Sequence, residues 1–283
     1  MDFKDLLRPI VEEMSGGLGS LFGLSLTDML KSPSEYSEAT ATLMGTITST
    51  VILPTATVFL TVLCVVELNK VLLVADGDGE TRLRVIIFTL IKFGVIKAIF
   101  DMSPLIMGAI YQIFAEFASG ANALLSSSDA GRQSVDAFID ATGNLDWLGQ
   151  AILIVFMLFA LLVNKGAVLI GLGLVVIRFV KLYIYGAFAP IPLSFLATQE
   201  TRSWGLNFLR NYGAVALQGF VMVLGFAIFQ SLSTSWGASA LSELPDNSMA
   251  AALSIGTYYM FMGVVLGMTL AGSGRLANEL LGG

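Results

Sequence analysis

From Trp147 to Lys181 the chain is almost wholly apolar, its longest interruption being Asn164, Lys165 and Gly166. At 1.5 Å per residue that run is about 52 Å of helix, well beyond the ~30 Å hydrocarbon core of a bilayer. Composition points the same way. Hydrophobic residues make up 55% of the 283 and charged residues 13%, with a mean hydropathy of +0.81, whereas a soluble domain carries about 25% charged residues. The apolar runs are long, and barrel strands would read as short alternating segments of about ten residues. The expected fold class is therefore all-α: a polytopic helical membrane protein.

Two topologies compete over this run. If the chain turned back at Asn164–Gly166, the returning leg would meet Arg178 after about 18 Å of helix, too short to cross. A single long or broken crossing instead brings Arg178 and Lys181 to a cytoplasmic end, where bases are favoured. The single crossing is the preferred reading.

Beyond it lies a stretch that lipid alone does not require. Arg178 and Lys181 are followed by YIYGAFAPIPLSFLA and then by the polar segment from Thr198 to Arg210. Pro190 and Pro192 each remove a backbone N–H and disfavour helix at the preceding residue, so Ala189 and Ile191 are expected to be extended or kinked. Backbone of that kind survives at membrane depth only beside protein or water. Residues 182–210 thus read as a proline-broken insert on the cytoplasmic side. There Arg178, Lys181, Arg202 and Arg210 would contact a partner or a channel mouth, or fix orientation against anionic lipid.

Residues 1–39 read as an amphipathic segment and hinge, with Phe3, Leu6, Leu7, Ile10, Val11 and Met14 at helical spacing, lying on a surface rather than crossing it. The start has acids among its bases and no early apolar core, so it does not read as a secretory signal peptide. Residues 40–283 form the membrane domain. Its first crossing, about Thr42 to Val66, holds Pro54, which implies a kink supported by neighbouring helices. The second continues from Arg84 through Phe117. In it Lys97 and Asp101 share a helix face and can pair, while Lys92 either faces protein or snorkels to the surface.

The polar loop 118–146 has Arg132 as its only base and four aspartates, so it is assigned outside the cytoplasm. Further crossings are expected from Asn211 to Leu232 and from Met249 to Ala271, making about five in all, with the N-terminus outside and the C-terminus inside. Gly263, Gly267 and Ala271 place a small residue at every fourth position of the last crossing, which suits close approach by a helix of the same chain or of another copy.

Catalytic equipment is sparse. The chain has no histidine, which removes zinc-protease, Ser-His and Cys-His chemistry and imidazole-ligated haem. Cys64, the one cysteine, reads as a small buried hydrophobe. Asp76 and Asp78 in ADGDGE lack the glycine and glutamate of a calcium loop and read as a solvated turn. No catalytic, metal or cofactor residue is assigned.

The segments TSTVILPTATVFLTVLCVVELNKVL and RFVKLYIYGAFAPIPLSFLATQETRSWGLNFLRNYGAVALQGFVMV resemble TrbL-type polytopic subunits of conjugative type IV secretion systems, particularly those of Gram-positive elements. The resemblance spans roughly residues 40–270. It implies a non-enzymatic channel or scaffold subunit in the bacterial cytoplasmic membrane, forming a homo-oligomer beside other secretion-system membrane subunits and an assembly ATPase. It also implies transient contact with transported single-stranded DNA or protein. The chain lacks the long C-terminal extension of some relatives, and no activity of that extension is carried over.

Two rivals use the intramembrane charges. A secondary transporter or ion channel would employ Lys97 and Asp101, but such proteins usually show matching broken helices in internal repeats, and only one break is visible. An intramembrane aspartyl protease needs two facing aspartates, and Asp101 alone lies well inside an apolar span.

Overall fold

The structure, a computed structural model, describes residues 7–10, 20–21, 24–25, 28, 31–74, 79–126, 146–242 and 248–282. Most of the amphipathic leader, most of the ADGDGE turn and most of the 118–146 loop lie outside the described residues. Near the start, β1 (Ser20–Leu21) pairs antiparallel with β2 (Leu24–Ser25). The described elements after them are helices and helical turns: α1 (Pro33–Tyr36), α2 (Glu38–Ile47), a π turn (Thr48–Ile52), α3 (Leu53–Val74), α4 (Gly79–Asp101), α5 (Ser103–Ser126) and α6 (Trp147–Phe188). Then come α7 (Pro190–Ser194), a 3-10 turn (Phe195–Ala197), α8 (Arg202–Ser242) and α9 (Ser248–Leu280). The fold is all-α.

Local chemistry accounts for the early elements. Ser32 caps α1: the backbone N–H of Glu35 donates to its hydroxyl, and its own N–H donates to the Glu35 carboxylate at 2.7 Å. Those bonds from Ser32 hold the Glu35 carboxyl below its ordinary range. Ser37 caps α2 in turn through the N–H of Thr40.

Pro54 sits at the second position of α3. In an uninterrupted α-helix its ring would strike the carbonyl four residues back and leave that carbonyl without a donor. The chain answers with the π turn: the N–H of Leu53 reaches back to the carbonyl of Thr48, five residues away. The kink expected at this proline takes the form of one re-spaced turn.

Four described helices are long and apolar enough to cross a membrane: Glu38–Leu73, Trp147–Phe188, Arg202–Phe229 and Leu253–Leu280. They bear out the polytopic all-α class expected from the sequence. The expected second crossing is divided at Met102 into α4 and α5, and α4, 23 residues long, carries Arg82, Arg84, Lys92, Lys97 and Asp101, more charge than the four apolar helices hold in their apolar stretches. Asn164–Gly166 lies inside α6, one helix of 42 residues, so the chain makes no hairpin there.

The chain divides into two compact units. One comprises Met1–Leu30, Glu116–Ile177 and Gln218–Leu276; the other comprises Lys31–Ala115, Arg178–Leu217 and Ala277–Gly283. In the first, α9 lays its glycines on α6. A Cβ on Gly263 would stand 3.0 Å from Val163, and one on Gly267 would stand 3.5 Å from the Cβ of Ala167. Ala271, the third small residue of that series, is exposed. The Gln218 amide donates to Ser273 at 3.4 Å beside Gly274. In the second unit, α3 packs on α4 and α7, with Leu60, Phe93, Ile96 and Ala197 forming a buried cluster.

Candidate functional site

The second unit contains the proline break and its bases. Ala189 has φ −47° and ψ −40°, a right-handed helical conformation, which corrects the expectation of extended backbone before Pro190. The bias against helix before proline is energetic rather than absolute, and Ala189 has only a methyl to accommodate. Pro190 opens α7, where a missing N–H would have had no helical partner anyway. The N–H of Leu193 still reaches the Ala189 carbonyl at 3.1 Å. The reversal comes later, at Thr198, whose φ of −115° and ψ of 150° are extended.

Side chains lock that reversal. The Thr201 hydroxyl donates to the Phe195 carbonyl at 2.7 Å and lies 2.7 Å from the Thr198 hydroxyl. The Phe195 ring stands edge-on to Trp204 at 5.6 Å. Gly205 lets α8 press against the break, because a Cβ there would stand 2.9 Å from the Pro192 carbonyl oxygen and 2.7 Å from Leu196. Lys70 at the end of α3 holds the reversal from outside, with both Glu200 carboxylate oxygens 2.7 Å from its Nζ.

Arg178 does not join a cationic surface. It is 2% exposed, a correction to its expected place among the exposed bases. Its Nε donates to the Val215 carbonyl at 3.1 Å, and Nη2 donates to the Ala216 carbonyl at 3.2 Å and to the Tyr111 hydroxyl at 3.5 Å. The guanidinium carbon lies 5.5 Å from the Tyr111 ring and 5.4 Å from the Phe179 ring, within reach of their negative faces. A planar, weakly hydrated cation with a fork of donors is suited to such a place; an ammonium is not. Lys181, Arg202 and Arg210 remain exposed, and Arg210 donates to the Gly282 carbonyl at 3.0 Å.

The same centre holds the hinge before the first crossing. The Tyr111 hydroxyl donates to the Lys31 carbonyl. The Tyr183 hydroxyl donates to the Pro33 carbonyl at 2.5 Å. The Tyr36 ring stacks on Phe179 at 3.9 Å. Lower down, the Tyr212 hydroxyl donates to the Met107 carbonyl at 2.9 Å. Residues 31–37 are thus a strap tied to α5 and α6 by tyrosines. None of these tyrosines stood out in the sequence; the signal available was a ring with a polar tip in an apolar run, which needs a partner when buried.

The charges on α4 are paired. Lys97 Nζ lies 2.5 Å from the Asp101 carboxylate and 4.8 Å from the centre of the Phe100 ring. Lys92 faces protein, 3.4 Å from Glu67. Among the described residues no group of three or more His, Cys, Asp or Glu stands together as a metal site. Arg178 and the tyrosines around it form a buried clamp that holds the strap to α5 and α6.

Residues 23–190 match a family model described as TrbL/VirB6 plasmid conjugal transfer like protein. The match covers more than half of the 283 residues and takes in the strap, α2 through α6, Arg178 and Pro190. Among curated proteins none matches the chain.

Proposed function

The chain belongs to the TrbL/VirB6 plasmid conjugal transfer family, and on that premise we propose that it forms part of the channel wall through which a type IV secretion machine moves its cargo. It is a multi-pass membrane subunit of a conjugal transfer system. The family match carries the finer reading, and the four long apolar helices support it. On this reading the protein is a non-enzymatic scaffold in the bacterial cytoplasmic membrane and assembles with copies of itself and with other secretion subunits. The break between Phe188 and Arg202, with Arg202 and Arg210, faces the cytoplasm and an assembly ATPase. The cargo is single-stranded DNA with attached protein, or protein alone.

The test is an in-frame deletion of the gene in a conjugative donor, complemented in trans. Transfer is expected to disappear and return with the complementing copy, and the tagged protein is expected to co-purify as an oligomer with other machine subunits. Undiminished transfer in the deletion strain overturns the proposal. Single cysteines at Ser128 and at Gln199, in a Cys64→Ala background, check the orientation: an impermeant thiol reagent outside the cell reaches the first and not the second.

A further inference from the structure

The helix Glu38–Leu73 is the least covered of the four long apolar helices, with 17% of its most apolar window buried against 28 to 50% for the others. Its buried side is a seam of Thr48, Ile52, Ala56 and Leu60. In a plain α-helix those four-residue steps would drift about 40° each, taking Leu60 far round from Thr48. The π turn removes roughly 90° of that drift, since it winds its five residues about 18° less each. Both halves of the helix therefore bury one face.

The same re-phasing aligns a second feature. Thr42, Thr46, Ser49 and Thr50 above the π turn, and Thr57 and Thr61 below it, fall within a sector of roughly 80°. All are exposed except Thr57, which is half-buried. Beside them lies an exposed apolar sector of Leu43, Val51, Val58, Val62 and Leu73, which contains one hydroxyl, Thr55. From Thr42 to Thr61 the helix thus has three faces: a seam on its own chain, an apolar face, and a strip of hydroxyls, whose sector is taken below Thr61 by the exposed Val65 and Leu72.

Each strip hydroxyl with a partner bonds backward within its own helix, as Thr46 does to Thr42, Thr50 to Thr46 and Thr61 to Thr57 at 3.0, 2.6 and 2.8 Å. Back-bonding uses the proton and leaves the oxygen able to accept. Pro54, exposed on the same strip, has no N–H to give, so the turn before it is one donor short. Water would supply what these acceptors lack, and lipid cannot. Polar groups at membrane depth face a bundle interior or water, and among the described residues the strip is left exposed.

We infer that the hydroxyl strip lines an aqueous path in the assembled machine, its other walls supplied by further copies of this chain. The inference rests on the channel reading above and adds the surface that meets the passage. Six oxygens along one side would give transported polymer a neutral wall able to trade hydrogen bonds with water, without a fixed charge to hold it.

The test places single cysteines at Thr46, Thr50 and Thr61 on the strip and at Val51, Val58 and Val62 on the apolar face, in the Cys64→Ala protein within the complete machine. Membranes are treated with an impermeant cationic thiol reagent, and modification is measured per molecule of inserted protein, so differences in accumulation drop out. Strip positions are expected to react at least about tenfold faster than apolar ones, and their modification to lower transfer. Equal rates, or strip positions that stay unmodified because they are packed dry against another copy, overturn the inference. Fast modification with transfer unchanged also overturns it. The deletion strain separates the two claims: if transfer survives deletion, the channel reading fails by itself, whereas required protein with an unreactive strip removes only the strip.

Discussion

Gly205 stands where a side chain cannot: a Cβ on it would come to 2.9 Å from the carbonyl oxygen of Pro192, so the start of α8 and the proline break are in backbone contact. Gly205→Ala gains about 1 kcal/mol of helix propensity and loses up to about 3 kcal/mol to overpacking. Because one neighbour is backbone and cannot swing away, a net loss of about 2 kcal/mol is expected. Thermal unfolding in detergent should show a lower midpoint, and an unchanged midpoint would mean the break gives way freely.

Arg178 yields an ordering of variants. Arg178→Lys keeps a charge in a dry place with a stem that cannot fork to Val215 and Ala216, and should cost about 2–3 kcal/mol. Arg178→Met removes charge and donors together, while Val215 and Ala216 keep their places in α8, and should cost about 1 kcal/mol. Unfolding midpoints should fall in the order wild type, Met, Lys. A Lys variant at wild-type stability would show that water reaches the centre.

The strap gives a proteolytic readout. Tyr111→Phe with Tyr183→Phe removes both hydroxyls that hold the Lys31 and Pro33 carbonyls, about 1 kcal/mol each. Opening of the strap should become roughly thirtyfold more frequent, and trypsin cleavage after the exposed Lys31 faster in proportion. Identical digestion of the two proteins would assign the hold to Tyr36 on Phe179 instead.

Gly267→Leu tests the seam of α9 on α6. Ala167 lies 3.5 Å from the place of the first added carbon, which leaves no room for three more, so a loss of about 1–3 kcal/mol is expected from overpacking within one chain. Destabilisation should persist in isolated monomer. Loss confined to the oligomer would move the contact to a neighbouring copy.

Arg202→Glu with Arg210→Glu addresses partner contact. The two bases are exposed, so accumulation and insertion should be unchanged. If an acidic partner face docks there, transfer falls about tenfold, the equivalent of roughly 1.4 kcal/mol. Transfer at the wild-type level would leave these bases with lipid.

The membrane class, the single helix through Asn164–Gly166 and the pairing of Lys97 with Asp101 were legible because they depend on apolar length and on spacing along one helix. Burial of Arg178 was not, because its partners are carbonyls of residues 215 and 216, and any sequence offers a carbonyl at every position. The π turn before Pro54 escaped for a related reason. Proline announces a disturbance, but which rearrangement answers it depends on the seam below. Gly205 looked like any helical glycine until Pro192 was placed opposite. The division at Met102 was hidden by an apolar run that continues across it.

The hydrogen bond from Arg178 to Val215 has a consequence for biosynthesis. Its partners stand 37 and 38 residues later in the chain, and at about 5–20 residues per second they emerge some 2–7 s after the arginine does. During that interval α6 is complete in length but carries a cation with nowhere dry to go. The cation waits at the membrane surface, where bases are favoured, until residues 215 and 216 of α8 follow. The apolar run can therefore insert before its last turns are packed, and in a nascent chain arrested near residue 200 the Arg178 end of α6 should still be open to water-soluble reagents, closing only once residues 215 and 216 have followed.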